Sequence, residues 1–125
     1  NTPGGMTSGR ALMNDAAPQL TVDQARWMVA GGCQLLDVRE PYEWEAGHAP
    51  QATHIPIGQL ASTWLPRWTK RRVIVLCRSG SRAADAVRIL RSRGVEAFAV
   101  SGGMNAWREA GGPVVSSGGA PGLVA

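Results

Sequence analysis

Six residues, CRSGSR from Cys77 to Arg82, bring together one cysteine, two arginines and a glycine. They follow RVIVL (Arg72 to Leu76), a β-branched run without alternation that reads as a strand buried on both faces. They precede Ala83, Ala86, Val87 and Leu90, spaced i, i+3, i+4 and i+7 along one apolar face of a helix. A turn from the C-terminal end of a parallel strand into a helix N-terminus is where open α/β sheets bind their ligands. Amides from Ser79 to Arg82 would point into that turn, Gly80 would let the backbone curl inward, and the helix dipole would welcome an anion. The same field favours a thiolate over a thiol, so Cys77 is a candidate nucleophile, with Arg78 and Arg82 able to bracket a divalent oxyanion. The competing reading is an inert buried cysteine with both arginines in solvent, because free cysteine is among the most buried residue types. The glycine, the paired arginines and the strand-to-helix context together favour the nucleophile.

The elements that must hold this turn are marked by regular punctuation. Thr21 and Gln24 have capping-box spacing ahead of a short helix that ends at Gly31 and Gly32. QLLDV (Gln34 to Val38) reads as a strand, followed by a Pro-led turn and short helix around Tyr42 to Ala46, an extended piece THIPI, and a helical stretch near Leu60 to Trp64 limited by Pro66. The helix after the turn runs to Gly94, a candidate left-handed C-cap. VEAFAV (Val95 to Val100) makes a further strand, and GGMNAWREAGG a last short helix. Strands alternating with helices predict an α/β fold with a mainly parallel central sheet flanked by helices.

Composition sets the frame. A chain of 125 residues with 44% hydrophobic and 18% charged residues is expected to form one globular domain. Residues 1–19 are read as a flexible N-terminal segment, with Met6 a candidate start behind a vector remnant at 1–5. Residues 20–115 are read as the domain and 116–125 as a flexible tail rich in Gly and Ser. The net charge of +4 is carried by twelve arginines and one lysine, forks suited to oxyanions, although codon usage produces the same bias. Lys70, Arg71 and Arg72 form a short basic run read as a solvated loop, so no nucleic-acid partner is expected. With two cysteines, no metal-ligand spacing, no apolar stretch of membrane length and no secretory leader, the expected setting is the cytoplasm, with no metal and no membrane partner.

The chain strongly resembles the rhodanese family of sulfurtransferases over about Leu20 to Val115. LLDVREPYEWEAGH is similar to the family's first signature, with Asp37, Arg39, Glu43, Gly47 and His48 in matching order. CRSGSR is similar to its active-site loop, and VSGGMNAW (Val100 to Trp107) to its closing motif. The resemblance implies a rhodanese-like three-layer fold and a persulfide on Cys77, formed from a small anionic donor such as thiosulfate. The sulfur would pass to a thiophilic acceptor: cyanide, a thiol or a sulfur-accepting protein. It implies no cofactor. It assigns substrate binding to Arg78, Ser79, Gly80, Ser81 and Arg82, with the amides from Arg78 to Arg82 steadying the persulfide and Arg82 holding the donor's oxygens.

Related phosphatases and arsenate reductases on this fold place five residues between the cysteine and the arginine. Four separate Cys77 from Arg82, which favours sulfur over phosphorus chemistry. Arg78 beside the nucleophile resembles thiosulfate-type rather than mercaptopyruvate-type loops. A non-enzymatic persulfide carrier or partner-binding module is the alternative. Asp37 and Arg39, at the sheet edge of Cys77, are expected to be supporting residues, mainly structural, and His48 a structural histidine. GHAPQA departs from the family's usual Gly-His-Ile-Pro-Gly-Ala at Ala49 and Gln51. Cys33 is expected to pack rather than to pair with Cys77, while Trp64 and Trp68, with Pro66, Arg67 and Lys70, are candidates to rim the pocket or a partner surface.

Overall fold

The computed structural model describes residues 17–65 and 68–125. The N-terminal segment up to residue 16, Pro66 and Arg67 lie outside the described residues. In chain order the elements are β1 (Gln19–Leu20), α1 (Val22–Ala30), β2 (Gln34–Asp37), α2 (Pro41–Ala46), β3 (Ala52–His54), 3-10 turns at Ile57–Gln59 and Trp68–Lys70, β4 (Arg72–Leu76), α3 (Ser81–Ser92), β5 (Glu96–Val100) and α4 (Gly103–Glu109). The described strands form one sheet in the order β1-β5-β4-β2-β3, every pairing parallel. This is the α/β architecture that the alternation of strand and helix patterns predicts.

The central position of β4 follows from its residues. Val73, Ile74, Val75 and Leu76 are all fully buried, so both faces of the strand need a covering layer. Side chains alternate across the pleat. Val73, Val75 and Cys77 join Leu36, Val38, Ala97 and Ala99 in the core beneath α3, which contributes Ala83, Ala86, Val87 and Leu90. Leu35, Ile74, Leu76 and Val100 face the other way, onto Ala25 of α1 and Met104 and Trp107 of α4. The pleat therefore sends the Cys77 side chain toward α3.

Three expectations differ from the structure. No α-helix forms over Leu60 to Trp64: after the Ile57–Gln59 turn, the Thr63 hydroxyl donates to the Gln59 carbonyl at 2.7 Å, and Arg93 Nη1 donates to the carbonyls of Leu60 and Thr63. The Leu60 and Thr63 carbonyls that a helix would have used are thus taken by a side chain. The sheet also begins at Gln19, inside the segment read as flexible. β1 is two residues long and survives by pairing with β5, support that no local pattern discloses.

The composition of residues 116–125 suggests a loose tail, yet the chain folds back on itself. Ser116 donates to Ala120 and Gly122 to Val114, while the Leu123 amide reaches the Ala46 carbonyl at the end of α2. Backbone hydrogen bonds of this kind leave no trace in side-chain pattern.

The capping box forms as its spacing predicts: the Gln24 amide donates to Thr21 Oγ1 at 3.1 Å and the Thr21 amide to Gln24 Oε1 at 2.9 Å. Thr21→Ala removes one of these bonds at an exposed site. A loss of about 1 kcal/mol is expected in urea unfolding, and a loss below a few tenths would mean that tertiary contacts alone hold the start of α1.

Candidate active site

Cys77 lies one residue beyond β4 and is fully buried, in the apolar cluster beneath α3. Its Sγ accepts a hydrogen bond from the Gly80 amide at 3.0 Å. Gly80 is the N-cap of α3 with φ 116°, a conformation costly for any residue with a Cβ. The opposite side of the loop is closed by α4, where the Met104 amide donates to the Cys77 carbonyl at 2.7 Å and the Asn105 amide to the Arg78 carbonyl at 3.1 Å. Gly103 permits this approach, since a Cβ there would overlap the carbonyl groups of Cys77 and Arg78. With the loop's carbonyls turned to α4, the Gly80 amide is turned to the sulfur.

Arg78, Ser79 and Ser81 are exposed on the rim of this loop. Arg82, expected to hold donor oxygens, is paired with a carboxylate of its own chain. Both of its terminal nitrogens are engaged by Glu43 of α2, Nη1 to Oε1 at 2.6 Å and Nη2 to Oε2 at 2.9 Å. Glu43 Oε1 also accepts the Glu40 amide at 3.0 Å, closing a capping box that fixes the carboxylate at the head of α2. In the sequence Glu43 stands out only as one position of the first signature. Its spacing from Glu40 signals the cap, but nothing local signals Arg82, 39 residues away.

The hydrogen bonds from Arg82 hold the Glu43 carboxyl below its usual value of 4.5, against a burial that pushes it up, and Glu43 in turn raises Arg82. A carboxylate depressed in the folded state stabilises the fold fully above its unfolded value, and that stability is lost as pH falls through the folded value. The stability gap between wild type and Glu43→Gln should therefore be constant from neutral pH down to about 5 and shrink below the ordinary carboxylate value of 4.5. Urea titrations at pH 7, 5, 4 and 3 measure it, and a gap that widens with acid would contradict the assignment.

Asp37 ends β2 opposite Leu76, one residue before the nucleophile candidate. Its carboxylate accepts from Arg39 Nε at 3.0 and 3.1 Å, from Nη2 at 2.8 Å and from the Arg39 amide at 3.0 Å. Both side chains are fully buried, and Arg39 Nη2 also donates to the Gly47 carbonyl at 2.6 Å. The pair thus ties the end of the sheet to the end of α2, and α2 carries Glu43 to Arg82. Trp44 stacks on His48 and His54, with ring centroids 3.6 and 4.8 Å away. His48 Nδ1 donates to the Trp44 carbonyl and His54 Nε2 to the Arg39 carbonyl, so both rings serve as struts for this corner.

Other candidate positions lie elsewhere. Cys33 precedes β2 at the N-terminal edge of the sheet, lining a cleft with Trp27, Met28 and Arg72. Since Gln34 pairs with Val73, Cys33 is at the level of Arg72, five residues from Cys77 and so roughly 16 Å away. No disulfide spans that distance. Trp64 is highly exposed beside Thr63, whose carbonyl binds Arg93 at the far end of α3, so it does not rim the loop. No helix among the described residues is long and apolar enough to cross a membrane, and none of their His, Cys, Asp and Glu form a cluster placed to hold a metal ion.

The rhodanese-like domain family model matches residues 21–110, from the cap of α1 to the end of α4. The chain belongs to this family. Among curated relatives, the domain is 38% identical over 88 residues to an uncharacterized protein of Synechocystis, covering 70% of this chain and 49% of that protein. It is 43% identical over 87 residues to an HTH-type transcriptional regulator of Mycobacterium tuberculosis, covering 68% of this chain and 38% of the regulator. The chain therefore spans half or less of the curated relatives it matches. Among solved structures, a rhodanese-related protein of Thermoplasma volcanium superposes with a TM-score of 0.70 at 33% identity, covering 78% of this chain and 97% of that one.

Proposed function

We propose that this rhodanese-like domain is a sulfurtransferase that carries sulfane sulfur as a persulfide on Cys77. The observation that carries the reading is the Gly80 amide, 3.0 Å from Sγ, in a loop with only four residues between Cys77 and Arg82. A donated N–H and the N-terminal field of the twelve-residue helix α3 both favour a sulfur anion at that point. In the first step the Cys77 thiolate attacks the outer sulfur of a donor such as thiosulfate. A new S–S bond forms as the donor's own S–S bond breaks, so sulfite leaves with that electron pair and the terminal persulfide sulfur keeps one negative charge. In the second, cyanide or a thiolate attacks that terminal sulfur and the Cys77 thiolate departs, restoring the enzyme in a ping-pong cycle.

The test is the adduct itself. Incubation with thiosulfate should add one sulfur atom to the peptide bearing Cys77, leave the Cys33 peptide unchanged, and be reversed by cyanide. Hydrolysis of phosphate esters without such an adduct would sink this reading. The match to a transcriptional regulator favours a second one, a persulfide carrier that hands sulfur to a single protein. A carrier would form the adduct but would not turn over repeatedly with cyanide.

A further inference from the structure

Glu43 has a role that the sulfur-transfer cycle itself does not require. Arg82 is two-thirds buried and both of its terminal nitrogens are already engaged by the Glu43 carboxylate, which is in turn held by the α2 cap. Glu40 adds a second negative charge near Arg82. Arg78 is exposed on the rim and has no side-chain ion pair among the described residues. The mouth of the loop thus sets two arginines against two carboxylates before the Cys77 thiolate is counted. A dianion arriving beside that thiolate meets one uncommitted arginine of the loop, Arg78, and like-charge proximity opposes it.

Resting on the sulfurtransferase reading, we infer that Glu43 is a specificity-determining residue. By occupying both terminal nitrogens of Arg82 it withdraws a cation from the donor site. The site is thereby matched to sulfane donors with less charge than a dianion, the hydropersulfides of small thiols, rather than to dianions such as thiosulfate. Such a donor carries at most one negative charge on its sulfurs, against two on thiosulfate, and the Cys77 thiolate attacks the outer sulfur of its protonated form, R–S–SH. The new S–S bond forms as the donor's S–S bond breaks, the thiolate leaving group takes up the donor's proton as R–SH, and Cys77 keeps an anionic persulfide. No oxidant enters and no oxyanion has to be held. Glu43 touches neither donor nor sulfur. It acts through Arg82, so its effect belongs in the KM of charged donors.

The rate at which Cys77 gains sulfur, followed by intact mass, separates the cases in wild type, Glu43→Gln and Arg78→Gln, with thiosulfate and cysteamine hydropersulfide as donors. Freeing the Arg82 fork in Glu43→Gln should lower the thiosulfate KM by about tenfold or more and shift the hydropersulfide KM by less than about threefold. Sulfate, as a competing dianion, should inhibit that variant more strongly than wild type. Parallel changes for both donors, or a thiosulfate KM that stays put or rises in a folded Glu43→Gln protein, would overturn the inference while leaving the transferase intact. If Glu43→Gln does not fold, the exposed change Arg78→Gln carries the test: with Arg78 as the loop's uncommitted arginine, the thiosulfate KM should rise by about tenfold. An unchanged KM would mean that thiosulfate recruits Arg82 away from Glu43, and the inference would fail. No sulfur on Cys77 from either donor would remove the transferase reading and this inference together.

Discussion

Cys77→Ser is expected to abolish sulfur transfer while leaving the domain folded. The substitution replaces Sγ by a smaller hydroxyl that can still accept the Gly80 hydrogen bond, so the loop keeps its anchor, and the loss of sulfur volume in the α3-side core is small. The chemistry does not survive, because a neutral hydroxyl at pH 7 is a far weaker nucleophile than a thiolate and cannot store sulfane sulfur. A loss on the order of 10³-fold or more in the rate of thiocyanate formation corresponds to at least about 4 kcal/mol of barrier. Rate and melting temperature should be measured on the same preparation. Transfer persisting above a tenth of the wild-type rate in a folded Cys77→Ser protein would place the sulfur carrier elsewhere.

Arg39→Met should cost the most stability of any change near the site, about 3–5 kcal/mol in urea unfolding. The Arg39 fork makes three contacts with the Asp37 carboxylate and one with the Gly47 carbonyl, all in a fully buried corner. Taking away the guanidinium leaves Asp37 without a counter-charge and the Gly47 carbonyl without that donor. The corner also positions α2, so the effect should spread to the loop through Glu43 and Arg82. The double variant Asp37→Leu with Arg39→Met removes both charges and should lose less than the sum of the single changes, because a buried pair can be replaced by apolar groups at little net cost. Arg39 Nη1 is buried without a hydrogen-bond partner among the described residues, so these leave the pair short of full satisfaction even in wild type, which favours that outcome. Additive losses would show that the two side chains act independently.

Much of the fold was legible because its signals are local. RVIVL is β4 to the residue, the i, i+3, i+4, i+7 face of Ala83 to Leu90 is the buried face of α3, and Thr21 caps α1 as spaced. The elements not legible there are those held by distant partners: the two-residue strand β1, paired with β5; the Leu60 to Trp64 stretch, whose Leu60 and Thr63 carbonyls go to Arg93; and the C-terminal return, fixed by backbone bonds to Ala46 and Val114. The fate of the arginines was equally hidden. Their abundance suggests oxyanion binding, whereas Arg26, Arg91 and Arg93 spend their forks on main-chain carbonyls and Arg82 on Glu43.

By itself the sequence determined where the nucleophile candidate stands and how large its loop is. A β-branched run, a cysteine, a glycine and a helical face succeed one another in the nineteen residues from Arg72 to Leu90, and short-range stereochemistry dictates a strand, a turn and a helix N-terminus. Only the tertiary structure decided what charge that loop presents. Whether Arg82 faces a donor or a carboxylate depends on where α2 docks; α2 is placed by the buried Asp37–Arg39 pair and the Gly47 carbonyl, and Glu43 meets Arg82 across 39 residues, a spacing that carries no sign of their distance in space.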